Sequence, residues 1–338
     1  MTYPPPPPPP PSPPAPDVPP PPPATAEVRT DDPAWPPLPR GWWRGTSPEA
    51  TFPVPFTLAD GFGLFAWFLL GQLIIALPLT FALFAFGVDP TDTESPGALV
   101  AVILTQAGVI VTGLGYLKLR GRLTWRLWGP IRPAWSHVGW GILVGVGGFL
   151  GIQVTLGLLL TLLGDTDQPQ QQLLTVVGSD TLATVLVVLA AVVLAPIGEE
   201  LFFRGILFQA LRRRVGLWPA AVISSVPFGA VHVEVIGPEA LPAILVAVIL
   251  LCLGVLPRFP TPVRFALGTL GLAALAFAVS LGGWGAVLLP SGLAALGFVL
   301  AIAFHRTGNL LVPIVGHAVF NGIAISLTLV AQNLDLPV

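Results

Sequence analysis

Apolar residues run along this chain in nine blocks separated by short polar joints, at roughly 62–87, 97–117, 138–163, 181–211, 217–236, 240–257, 263–281, 284–304 and 310–331. Several blocks approach the ~20 residues that a helix needs to cross the hydrocarbon core of a bilayer. The fifth to seventh are shorter or weakly bounded. Inside lipid the backbone must satisfy its own hydrogen bonds, which favours helices. The pattern predicts an all-α fold, a polytopic membrane helix bundle with about nine transmembrane helices. Glycines recur in the third block (Gly139, Gly141, Gly145, Gly147, Gly148, Gly151), a pattern that permits close helix contact.

The polar joints carry charge of alternating sign. Arg40 and Arg44 precede the first block, and Asp89, Asp92 and Glu94 follow it. Lys118, Arg120, Arg122, Arg126 and Arg132 follow the second, Asp165 and Asp167 the third, and Arg212 to Arg214 the fourth. Glu234 and Glu239 lie between the fifth and sixth, Arg258 and Arg264 follow the sixth, Arg306 follows the eighth, and Asp335 closes the chain. The positive-inside rule then predicts a multi-pass protein of the cell membrane, with a cytoplasmic N-terminus and an extracytoplasmic C-terminus.

Composition agrees with the class. Of 338 residues, 54% are hydrophobic and only 9% charged, with a mean hydropathy of +0.82, against about 25% charge in soluble domains. A net charge of −2 argues against nucleic acid as a partner. The lone Cys252 leaves no intrachain disulfide to form. Residues 1–55 are a different material. Pro4 to Pro11 are unbroken and half of the 40 prolines fall in the first 40 residues. Such a segment cannot bury a core, so a disordered or polyproline II cytoplasmic tail is expected. Its composition suits a solvated spacer, and more weakly a ligand for SH3-like or WW-like modules.

One stretch breaks the apolar rule. Gly198-Glu199-Glu200-Leu201-Phe202-Phe203-Arg204 sits inside the charge-free run of the fourth block. Charges at bilayer depth are expensive and mark function by default. Glu200 and Arg204 are four residues apart, on one helix face and within reach. Glu199 is turned about 100° away and has no local partner. Further polar residues sit in two later blocks: His232 in Phe228-Gly229-Ala230-Val231-His232, and His317 with Asn321 one turn beyond it. His137 and His305 lie at joint edges and read as interfacial.

Depth ties the group together. At 1.5 Å per residue, Glu199 lies roughly 20 Å, His232 about 24 Å, His317 about 14 Å and Asn321 about 20 Å from the cytoplasmic ends of their helices. A carboxylate beside an imidazole can take a proton from water. A neutral histidine with an asparagine can donate to a developing oxyanion. Those are the parts for hydrolysing an amide without a covalent intermediate.

Glu199-Glu200-x-x-x-Arg204, then Phe228-x-x-x-His232, then His317-x-x-x-Asn321, resemble the three motifs of the CPBP family: the CAAX prenyl proteases of the Rce1 type and the Abi-type enzymes. The lead-in Thr307-Gly308-Asn309-Leu310 is also similar, and the resemblance covers about residues 181–331. It implies a metal-independent glutamate peptidase with no cofactor. Glu199 and His232 would activate water, and His317 and Asn321 would form the oxyanion site. Glu200, Arg204 and Phe228 would support them. The substrate would be a peptide or protein at the membrane. The apolar blocks place N-terminal membrane helices over 56–180, and the resemblance makes 181–338 the expected catalytic core. The separation of His232 from His317 exceeds what the resemblance leads one to expect, as if a helical pair were inserted near 240–281.

Two other readings use the same residues. Glu, His and His can ligate zinc in a metalloprotease, although no His-Glu-x-x-His occurs. A proton-coupled transporter would also place Glu and His at depth, although no paired half-helix pattern of the inverted-repeat kind is evident. The charge alternation has its own test. A reporter active only in the cytoplasm, fused to the C-terminus, should stay dark. A bright signal would mean that the number of crossings is even.

Overall fold

The computed structural model describes residues 56–89, 92, 95–123, 135–165, 177–178, 180–232 and 239–334. The Pro-rich tail, Trp35, Trp42, Trp43, Glu94, Arg126, Arg132, Asp167, Glu234 and Asp335 lie outside the described residues, as does any SH3-like or WW-like ligand in the tail.

Among the described residues the chain is helical without a strand. Seven helices are long and apolar enough to cross a membrane. They are α1 (Leu58–Ala85), α2 (Pro96–Leu119), α3 (Trp135–Leu163), α4 (Thr181–Val215), α7 (Thr261–Gly282), α8 (Gly285–Thr307) and α9 (Leu311–Asn333). Two shorter apolar helices, α5 (Leu217–Ala230) and α6 (Leu241–Gly254), lie between α4 and α7. Most bounds fall within a few residues of the apolar blocks. The exception is the fifth, expected to run to residue 236. It ends at Ala230, so α5 has 14 residues and spans only about 21 Å.

The helix ends follow from local chemistry. Thr57 and Asp60 form a capping box at the start of α1. Asp60 is also paired with Arg122, which fastens the chain after α2 to that end. Ser95 caps α2 with Pro96 in the first position, and Asp180 caps α4 through Ala183 N at 3.0 Å. Gly308, at φ 63°, turns the chain from α8 into α9 in a conformation that glycine adopts without strain. Arg264 Nε donates to Gly254 O at 3.2 Å, closing the end of α6 from α7. The two helices pack together, and a Cβ on Gly254 would come within 3.3 Å of the Arg264 carbonyl and Gly268 N.

The centre of the bundle is α4, whose residues 201–208 are all buried. Phe65 and Phe68 of α1 meet Phe203 and Phe202 with ring centroids 5.7 and 5.4 Å apart. Phe228 of α5 meets Phe203 at 5.2 Å, and Phe304 of α8 meets Phe208 at 6.3 Å. Three of these pairs are edge-on and the Phe68–Phe202 pair is tilted, arrangements that use the ring quadrupole as well as burying area. Elsewhere large apolar side chains such as Phe81, Leu119 and Phe265 point outward, as a bundle solvated by lipid requires.

On the other side of the bundle α3 crosses α9 through two of the glycines in its pattern. A Cβ at Gly141 would meet Val315 Cβ at 2.6 Å, and one at Gly145 would meet Gly316 O at 2.5 Å and Val319 Cβ at 2.7 Å. A Cβ at Gly147 or Gly151 would meet nothing within 4 Å. The repeat is therefore a packing device on one face only. Gly145→Val should lower the melting temperature and folded yield of the detergent-extracted protein, while Gly147→Val should leave both unchanged. Equal behaviour of the two variants would refute this crossing.

Candidate functional site

The Glu-Glu motif occupies a single α-helical turn, Ala195–Glu200, between two π-helical turns, Leu189–Leu194 and Leu201–Phe208. Such turns hold one residue more than an α-helical turn and occur mostly at functional sites. Here they leave Glu200 inside the bundle, fully buried, while Glu199 is half-buried.

Glu200 is the meeting point of two helices. Arg204 Nη1 donates to its Oε1 at 2.8 Å. His317 Nδ1 of α9 lies 3.0 Å from the same oxygen. Arg204 is 0% and His317 3% exposed. The Arg204 guanidinium also lies over the Phe228 ring, 4.2 Å from its centroid, an attraction strengthened by exclusion of water.

Phe228 gathers the rest. Its ring lies edge-on to the imidazoles of both His232 and His317, with centroids 5.5 and 5.6 Å away. One aromatic ring thus touches the guanidinium and both histidines. The motif pattern marks Phe228 only as a supporting residue, and nothing local in the sequence reveals that it links them.

His232 does not lie within a helix, as the fifth block led us to expect, but just past the end of α5. The physical reason is a tightened last turn. His232 N donates to Gly229 O at 3.3 Å, which leaves Phe228 O without its ordinary backbone donor. His232 Nδ1 takes that carbonyl at 2.9 Å. A carbonyl can only accept, so Nδ1 carries a proton here. The same logic applies at His317, where Nδ1 faces a carboxylate. With Nδ1–H on a carboxylate, a neutral imidazole has an accepting Nε2, and a doubly protonated one donates there.

The remaining two residues are placed differently. Asn321 Nδ2 donates to Ala191 O at 2.8 Å, tying α9 to the first π-turn and leaving its second N–H for other work. Glu199 makes no hydrogen bond among the described residues, and its buried Oε2 has no partner. No hydrogen bond joins Glu199 to His232. Two residues that sequence reasoning passed over stand beside the site, Ser225 of α5 and Gly297 of α8, where a Cβ would lie 2.8 Å from Arg204 Nη2. The Ser224-Ser225 pair in an apolar run was a usable signal; Gly297 carried none. Among the described residues no group of three His, Cys, Asp or Glu side chains is arranged to hold a metal ion.

The site thus combines a buried carboxylate, guanidinium and imidazole (Glu200, Arg204, His317) with a half-buried carboxylate and imidazole (Glu199, His232) in a multi-pass helical bundle. Residues 181–323, less than half of the chain, match the family model described as Type II CAAX prenyl endopeptidase Rce1-like. The family is one of intramembrane CAAX proteases, and its match covers every residue of the three motifs. No curated protein and no solved structure matches the chain.

The buried ion pair carries a stability prediction. Arg204→Ala leaves Glu200 enclosed without its counter-charge, a change that typically costs ~3–5 kcal/mol. A large fall in melting temperature should accompany it. A variant that melts like the wild type would show that Glu200 does not depend on this partner.

Proposed function

We propose that this protein is an intramembrane endopeptidase that hydrolyses a peptide bond in a membrane-associated or lipophilic protein, using water activated by Glu199 and His232. The observation that carries the reading is the division of the Glu-Glu pair. Glu200 holds Arg204 and His317 on Oε1, its buried Oε2 having no partner, whereas Glu199 makes no hydrogen bond at all among the described residues. One carboxylate organises the site and the other is left to react.

Charge accounting supports the roles. Glu199, Glu200 and Arg204 ionised together sum to minus one. A proton on one histidine brings the cluster to neutrality, which a low-dielectric interior favours. With that proton on His317, Glu200 holds the imidazolium by Nδ1–H and the Nε2–H is directed elsewhere. Glu199 then takes one proton from water while His232 Nε2 accepts a hydrogen bond from the hydrogen that stays on the oxygen, and the resulting hydroxide adds to the peptide carbonyl. The oxyanion is met by His317 Nε2–H and the second N–H of Asn321. Glu199 returns its proton to the nitrogen of the collapsing intermediate, and the carbon–nitrogen bond breaks. No metal takes part. The substrate enters from the bilayer, and the loop charges orient the protein in the cell membrane with its N-terminus in the cytoplasm.

The test compares membrane proteomes of cells carrying wild-type protein or Glu199→Gln, together with cleavage of the substrate so found. Glu199→Gln and His232→Ala should abolish cleavage, the first of them without loss of folding. Asn321→Ala should retain residual activity, since removing one oxyanion donor costs roughly 10²–10³ in rate. If Glu199→Gln still cleaves and Glu200→Gln does not, the two carboxylates have been assigned the wrong way round. If chelation stops the wild type and zinc restores it, the metal-independent mechanism falls.

A further inference from the structure

At one end of the bundle α1 begins beside the last turn of α4. One turn further in, the two helices touch. A Cβ on Gly61 would stand 3.1 Å from Ala210 Cβ and 3.4 Å from Leu207 Cδ1. Nearer the end they part, and a cavity of about 310 Å³ opens between them. Phe56, Thr57 and Leu58 line it from the start of α1, and Ala210, Arg213 and Arg214 from α4. That volume is enough for a small molecule, whose sites begin at about 300 Å³.

The lining is amphipathic. Phe56 and Ala210 are buried and give it an apolar floor, while Arg213 and Arg214 are exposed. Among the described residues the lining carries two positive charges and no negative one. Asp60, in the first turn of α1, is buried and already paired with Arg122. The positive end of the α1 dipole falls at the same place. All of this lies at headgroup depth, because Arg212, Arg213 and Arg214 close the apolar run of the 35-residue α4. Basic pockets between membrane helices at that depth suit anionic headgroups.

A soluble phosphate would use only the arginines, but the surface continues. Phe62, Leu69 and Leu73 follow Leu58 at spacings that keep them on one face of α1, and all three are exposed. An apolar track therefore leads from the cavity along the outside of the helix. We propose that this cavity binds one anionic phospholipid, with its phosphate on Arg213 and Arg214 and its acyl chains along the Phe62, Leu69 and Leu73 face. The lipid joins the start of α1 to α4, the helix that carries the Glu-Glu motif. The proposal does not rest on the peptidase reading.

The experiment uses full-length protein in nanodiscs of phosphatidylcholine, alone or mixed with phosphatidylglycerol. The wild type is compared with Arg213→Gln/Arg214→Gln and with Arg120→Gln/Arg258→Gln. The second pair removes the same charge from exposed arginines that do not line the cavity. Native mass spectrometry counts the phosphatidylglycerol retained on transfer to detergent, and a melting temperature is read in each disc. The wild type should retain one phosphatidylglycerol and melt higher in the mixed disc. Arg213→Gln/Arg214→Gln should bind it about twenty-five-fold more weakly, roughly fivefold for each arginine, and lose the gain in melting temperature. Arg120→Gln/Arg258→Gln should behave as the wild type. Glycerol 3-phosphate, which offers the phosphate without the chains, should leave the melting temperature in phosphatidylcholine unchanged. A wild type that retains no phosphatidylglycerol overturns the proposal. So does equal loss of the lipid from both double variants, which would mean a diffuse basic surface. A gain produced by glycerol 3-phosphate would overturn it too, since the ligand would then be a soluble phosphate.

Discussion

Everything near the centre of this molecule depends on keeping charge paired in a place where water is scarce. Glu200 and Arg204 satisfy each other within one helix, and His317 joins them from another. That arrangement is weak evidence for stability, because removing ions from water opposes what their attraction returns. Its value lies in geometry. A carboxylate held by two donors on one oxygen cannot rotate freely, and the elements that carry those donors cannot slide past each other. The aromatic contacts around Phe228 and the glycine crossings of α3 on α9 then fill the space that this pairing defines.

The fold was legible to a large degree because the bilayer imposes length. The block expected at 97–117 is Pro96–Leu119, and that at 263–281 is Thr261–Gly282. The block expected at 217–236 was read too long. Hydropathy does not register a helix whose last turn tightens and whose final carbonyl is taken by its own histidine. Among the glycines of α3, hydropathy likewise could not say which would face α9. Only Gly141 and Gly145 do so closely.

Within the site, legibility followed sequence distance. The Glu200–Arg204 pair could be read from a spacing of four, since the helix alone brings such residues together. The bond from His317 to Glu200 joins residues 117 apart, and no periodicity encodes it. Nor did the pattern disclose that Asn321 would donate to Ala191 O, because that carbonyl belongs to a π-turn invisible to a wheel drawn at 3.6 residues per turn. The motif letters gathered the right elements, while their hydrogen-bond partners came from packing.

The π-turns on either side of the Glu-Glu motif make the site depend on number as well as kind. Each holds one residue beyond what an α-helix would place there. A deletion of one apolar residue between Leu201 and Phe208 would scarcely alter hydropathy. It would nonetheless close the wide turn and let the segment relax to an ordinary helix with the parts beyond it kept in register, whereas the same deletion in an α-helical stretch would swing everything beyond it by about 100° about the axis. In this helix the tally of residues is itself structural information, carried by positions whose side chains are otherwise interchangeable.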